Sequence, residues 1–102
     1  MNIMTKHYIN GDWVASVDGS GMAVVNPSTE EQIAKISLGG PADTDAAVAA
    51  AKAAFPGWAA TEPQERIAAL ERLLEAYKGR AKDTAQAISQ EMGAPIALAN
   101  TA

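Results

Sequence analysis

Short β-prone runs broken by turn residues fill the first 40 positions, and from Pro41 onward apolar residues recur at helical spacing. The pattern predicts strands first and helices second. Residues 7–15 place two such runs on either side of Asn10-Gly11, the dipeptide that best tolerates the positive φ angles of a tight hairpin turn. Residues 17–21 carry Asp18, Gly19, Ser20 and Gly21 and read as a flexible polar connection. Met22 to Val25 is a strand that Pro27 must end, because proline cannot donate to a sheet ladder, and Asn26-Pro27-Ser28-Thr29 forms the turn. Residues 32–38 return as a second strand.

In the second part, Val48, Ala51, Phe55 and Trp58 fall on one helical stripe. Pro41 suits the first turn, Asp43 and Asp45 sit at the positive end of the helix dipole, and Pro56-Gly57 is expected to end the helix. Thr61-Glu62-Pro63-Gln64 has the form of a capping box with Thr61 as the cap. The helix that follows gathers Ile67, Leu70, Leu73, Leu74 and Tyr77 on one face, sets Glu62 four residues before Arg66, and is expected to be interrupted or loosened at Gly79. Residues 80–92 place Ala81, Ala85, Ile88 and Met92 on one side and stop at Gly93, a natural left-handed cap. A new helix starts near Pro95, and the pattern stops at Ala102 inside an unfinished element.

Composition sharpens this division. Of 23 alanines in 102 residues, 3 precede Gly39-Gly40 and 20 follow, which divides the chain into a β-hairpin region, 1–40, and a helical region, 41–102. Leu, Ile, Val and Phe number only 18, below the roughly 20% at which a chain begins to look short of core. The segment is therefore expected to need something else to pack against, and the isolated polypeptide to self-associate or show a broad, weakly cooperative melt.

Charge and cysteine usage narrow the chemistry. There is no cysteine, so no disulfide, thiolate metal site or thiol nucleophile resides here. A net charge of −4 removes the attraction that drives binding to nucleic acid or anionic membranes. No apolar run approaches the roughly 18 residues of a transmembrane helix, and residues 1–8 lack the apolar core of a signal peptide, so a cytoplasmic address is expected. His7 is the single histidine and has no second imidazole for a metal site; a surface or strand-edge role is expected. Glu30-Glu31 and Glu71/Glu75 are carboxylate pairs without the convergent geometry of acid–base work. Gly39-Gly40 stands before a helix, where free N–H groups could meet a phosphate, but Asp43 and Asp45 would repel it and a plain joint is the reading. Trp13 and Trp58 read as packing residues.

Several of these pieces recur together in one known family. Tyr8-Ile9-Asn10-Gly11-Asp12-Trp13-Val14, Val25-Asn26-Pro27-Ser28-Thr29, Asp45-Ala46-Ala47-Val48 with Ala50-Ala51, Phe55 to Trp58, Glu65-Arg66 and Glu91-Met92-Gly93-Ala94-Pro95 follow in an order and spacing that resembles the N-terminal region of the aldehyde dehydrogenase superfamily. Two positions depart from that pattern: Glu30 stands where a glycine is usual, and Ala94 where a lysine is often found. The resemblance implies an α/β fold in which N-terminal β-hairpins are followed by three helices that pack on a dinucleotide-binding domain. It implies a parent enzyme that oxidises an aldehyde to a carboxylic acid with NAD or NADP, through a cysteine nucleophile and a glutamate base that lie far downstream. The parent is expected to be a homodimer or homotetramer. This segment would bind no cofactor and act on no substrate, its partners being the rest of the same polypeptide or copies of itself. The family resemblance carries over one possible site, a monovalent cation held by the backbone carbonyls of Val24 and Val25. The alternative is a free-standing, non-catalytic module that binds aldehyde dehydrogenase-like subunits.

Overall fold

The computed structural model describes residues 2–102. Five strands precede three helices, β1 (Asn2–Met4), β2 (Lys6–Ile9), β3 (Asp12–Ala15), β4 (Gly21–Val25), β5 (Gln32–Ser37), α1 (Pro41–Ala59), α2 (Pro63–Met92) and α3 (Ile96–Ala99). The change in composition at Gly39-Gly40 thus marks the change from strand to helix. Contacts group the chain differently: Met1–Val25 with Gln32–Ala60 form one compact unit, and Asn26–Glu31 with Thr61–Ala102 form the other.

In the first unit, β2 and β3 pair antiparallel with Ile9 opposite Asp12, leaving Asn10 and Gly11 as a two-residue turn. Both take positive φ, 54° and 85°, as the sequence requires of that dipeptide. β4 and β5 pair antiparallel, with a bulge between Val24 and Val25. β1 joins the far side of β5 in parallel register, Asn2 opposite Ala34, and completes a sheet of order β1-β5-β4.

α1 starts where expected, with Gly40 as its cap and Pro41 in its first turn. It does not stop at Pro56-Gly57. Pro56 forfeits its own hydrogen bond, but its ring holds φ in the helical range. The next turn closes with the Ala60 N–H donating to the Pro56 carbonyl at 3.2 Å, and the helix runs to Ala59.

In the second unit, the two helices expected on either side of Gly79 are one helix of 30 residues. A glycine in a helix costs about 1 kcal/mol relative to alanine, too little to break a helix this long. The cap also differs by one position. Glu62 is the cap and is extended, at φ −67° and ψ 149°, with Pro63 as the first helical residue. A cap at Thr61 would need Glu62 to be helical, and the ring of a following proline disfavours that. Gly93 ends α2 with φ 76°, its N–H bonded to the Ser89 carbonyl at 3.0 Å. A Cβ at this position would also lie 3.1 Å from Cγ of Pro27. Pro95 caps α3 from outside, accepting from Leu98 and Ala99 N–H at 2.9 and 3.0 Å.

The core is as thin as the composition implied. Among the described residues the buried apolar side chains are Ala85 and Ala99, each 3% exposed. Phe55, Leu70, Leu73 and Leu74 all face outward, Leu73 with 64% of its surface exposed. Among the described residues no helix is long and apolar enough to cross a membrane.

Candidate functional site

The one buried charge among the described residues is Asp43, 6% exposed, in the first turn of α1. Its carboxylate is a hub for donors from three directions. The Ser16 hydroxyl donates to Oδ2, the Val17 N–H to Oδ1 at 2.8 Å and the Gly40 N–H to Oδ2 at 3.0 Å. Ser16 Oγ in turn accepts the Gly19 N–H at 2.7 Å. Asp18 Oδ2 accepts the Ala42 N–H at 2.9 Å, so the connection after β3 supplies a second carboxylate to the start of α1. The Ser16 bond first, then Val17 and Gly40, hold the Asp43 carboxyl down at about 2, against its ordinary 3.8; burial opposes them and the nearby His7 adds to them.

His7 lies on β2, half-buried, with Nε2 buried and without a hydrogen-bond partner. It borders an open hollow of 460 Å³ with Gly39, Asp43 and Thr44. Serine, histidine and aspartate thus share one neighbourhood without forming a nucleophilic triad. In a triad the hydroxyl donates to the imidazole; here it donates to the carboxylate, and Nε2 receives nothing. The arrangement ties the end of a hairpin to a helix.

The remaining candidates fall apart spatially. Gly39-Gly40 offers no phosphate cradle, because the N–H groups of Gly40 and Ala42 already donate to Asp43 and Asp18. A Cβ on Gly40 would overlap the Asp18 carboxylate and stand 2.9 Å from the Asp18 backbone carbonyl oxygen, so the glycine allows the close approach of that residue. Val24 and Val25 flank the β4 bulge, Val24 half-buried and Val25 47% exposed. Among the described residues no three His, Cys, Asp or Glu side chains cluster as metal ligands. Trp13 faces Tyr8 across the hairpin with ring centroids 5.2 Å apart, yet remains 67% exposed. Glu75 pairs with Lys78 at 3.0 Å on the surface of α2. Glu30 holds φ 61° in a turn closed by its own N–H to the Asn26 carbonyl, 2.8 Å.

In the sequence Asp43 is legible only as a partner of the helix dipole, and Ser16 and Asp18 are not legible as its neighbours. The available signal was local: an acidic residue three positions after Gly40 has the form of a cap. The bond to Ser16 spans 27 positions and leaves no local mark.

The model of the aldehyde dehydrogenase family matches residues 13–102. A curated relative from Staphylococcus aureus (strain bovine RF122 / ET3-1) is 44% identical over 98 residues, which span 96% of this chain and 21% of the relative. Among solved structures, an aldehyde dehydrogenase from Bartonella henselae superposes with a TM-score of 0.96 at 47% identity, covering 100% of this chain and 21% of that one. A variant of aldehyde dehydrogenase C from Pseudomonas syringae, complexed with NAD+ and octanal, gives 0.92 at 47% identity, over 96% of this chain and 20% of its own. An NAD-dependent benzaldehyde dehydrogenase from Corynebacterium glutamicum gives 0.87 at 34% identity, over 95% of this chain and 21% of its own. The chain spans about a fifth of the length of the relatives it matches.

Proposed function

Because the chain belongs to the aldehyde dehydrogenase family, we propose that it is the N-terminal scaffold of an enzyme that oxidises an aldehyde to a carboxylic acid with NAD or NADP. In that enzyme it supplies surface and packing, and no reacting group. The observation that carries this reading is the combination of a match over 96% of the chain with only 21% of the relative. The exposed apolar stripe on α2 is what a segment meant to lie against further protein would carry.

NAD as the parent's cofactor is supported by the complex of the Pseudomonas syringae enzyme and by the Corynebacterium glutamicum dehydrogenase. A nicotinamide accepts the hydride in such chemistry. The residues here do not suit its pyrophosphate, since carboxylates fill the N-terminus of α1, and no step of the reaction is assigned to this chain. With no thiol in the sequence, the nucleophile belongs elsewhere.

The test is complementation. The 102-residue chain is mixed with a relative's polypeptide lacking the matching first fifth, and reduction of nicotinamide by an aldehyde is followed. Turnover should appear only in the mixture. Turnover by the chain alone overturns the scaffold reading, and association without any gain in activity favours the free-standing interaction module.

A further inference from the structure

The turn between β2 and β3 carries a reactive pair that the scaffold role does not use. Asn10 and Gly11 are both exposed, with φ of 54° and 85°, close to the values of about +60° and +90° of a type I′ turn. The ladder closes at Ile9 and Asp12, so the Gly11 N–H lies outside it. Space around Gly11 is open, with nothing within 4 Å of where a Cβ would be.

We propose that Asn10 is a site of spontaneous deamidation, driven by the backbone nitrogen of Gly11. The Gly11 nitrogen gives up its proton to water and bonds to Cγ of Asn10, while the bond from Cγ to the side-chain nitrogen breaks and ammonia leaves. The resulting five-membered imide is opened by water at either carbonyl, giving aspartate or isoaspartate. No oxidant or further reactant is required.

The fold gives this pair an easy route to the reacting geometry. Rotating the peptide plane between Asn10 and Gly11 converts a type I′ turn into type II′, which keeps φ of the first residue near +60°, carries its ψ to about −120° and takes φ of the second to about −80°. Both turns fit a two-residue hairpin, so β2 and β3 stay paired during the rotation. Glycine crosses between the two φ values without steric cost. In the rotated turn the Gly11 nitrogen lies on the side to which the Asn10 side chain folds.

The other asparagines lack this combination. Asn26 precedes Pro27, which has no N–H to attack with, and its Oδ1 is held by the N–H groups of Ser28 and Thr29 at 2.8 and 3.4 Å. Asn100 precedes Thr101 and Asn2 precedes Ile3, whose branched Cβ crowds the nitrogen. Conversion at position 10 adds a negative charge two residues from Asp12. Isoaspartate also adds a backbone carbon to a turn that has room for two residues, and so loosens the Ile9 to Asp12 pairing.

The experiment incubates the full chain at mildly alkaline pH and maps its peptides by mass and by isoaspartate-specific methylation. Asn10 should convert at least about tenfold faster than Asn100, a difference of roughly 1.4 kcal/mol in barrier. Asn10→Gln should abolish the product peak, and Gly11→Ala should slow it. Equal rates at Asn10 and Asn100 in the unsubstituted chain would overturn the proposal, as would a Gly11→Ala chain that reacts as fast as the original; the first comparison requires no variant to fold.

Discussion

At the scale of single residues, Asp43 is buried where, among the described residues, no large apolar side chain is. It gathers donors from Ser16, Val17 and Gly40, and so joins the end of β3 to the start of α1. Its carboxyl titrates at about 2 when folded against 3.8 ordinarily. The folded state therefore favours the charged form, and the unfolded chain takes up the proton first. That contribution is complete above about pH 4 and is lost as the pH falls through 2. Unfolding by urea measured across this window should show the loss, and Asp43→Asn should lower the midpoint at neutral pH and flatten the acid limb. An acid limb unchanged by Asp43→Asn would refute the assignment. Glu30 shows what sequence does and does not reveal at this scale. Its place in a turn and its departure from the family's glycine were legible; that the backbone keeps a positive φ of 61° with a glutamate there was not. The turn is closed by the Asn26 N–H donating to the Glu31 carbonyl at 3.0 Å and the Glu30 N–H donating to the Asn26 carbonyl at 2.8 Å, and these bonds oppose the steric preference of one side chain.

At the scale of elements, Pro and Gly mark a helix end in some places and not in others. Pro41 and Gly93 mark real ends: Pro41 suits the first turn of α1, and Gly93 must hold φ 76° and leave room for Pro27. Pro56 and Gly79 mark no ends, since each costs one local increment while the flanking turns stay bonded. Gly79 has nothing within 4 Å of a Cβ position, so alanine fits there without contact. Gly79→Ala is expected to stabilise the chain by about 1 kcal/mol and to raise helical circular dichroism. A destabilised Gly79→Ala chain would mean that the glycine sits in a turn between two helices. β1 left no sequence signal because it is three residues long and its partner is remote, as the pairing of Asn2 with Ala34 shows.

At the scale of the molecule, shortage of core was legible from composition, and the structure bears it out: the buried apolar side chains among the described residues are alanines. The α/β character and the family were also legible, through the order of several weak motifs. The clamp around Asp43 was not, because Ser16 and Asp43 meet only after the chain has folded. Ile67, Leu70, Leu73, Leu74 and Tyr77 remain 44–64% exposed on α2. Such a stripe should drive association of the isolated chain. Replacing Leu70 and Leu74 with serine should shift sedimentation toward monomer at a stability cost within about 0.5 kcal/mol per site, as for other exposed positions. Association that persists unchanged would move the contact to another surface.

The parallel pairing of β1 with β5 also sets an order of assembly. β4 and β5 meet across a short turn, whereas residues 2–4 must wait for residues 34–36 to leave the ribosome before they have a partner. The first strand of this sheet to be synthesised is thus expected to be the last to join it, after β4 and β5 have paired.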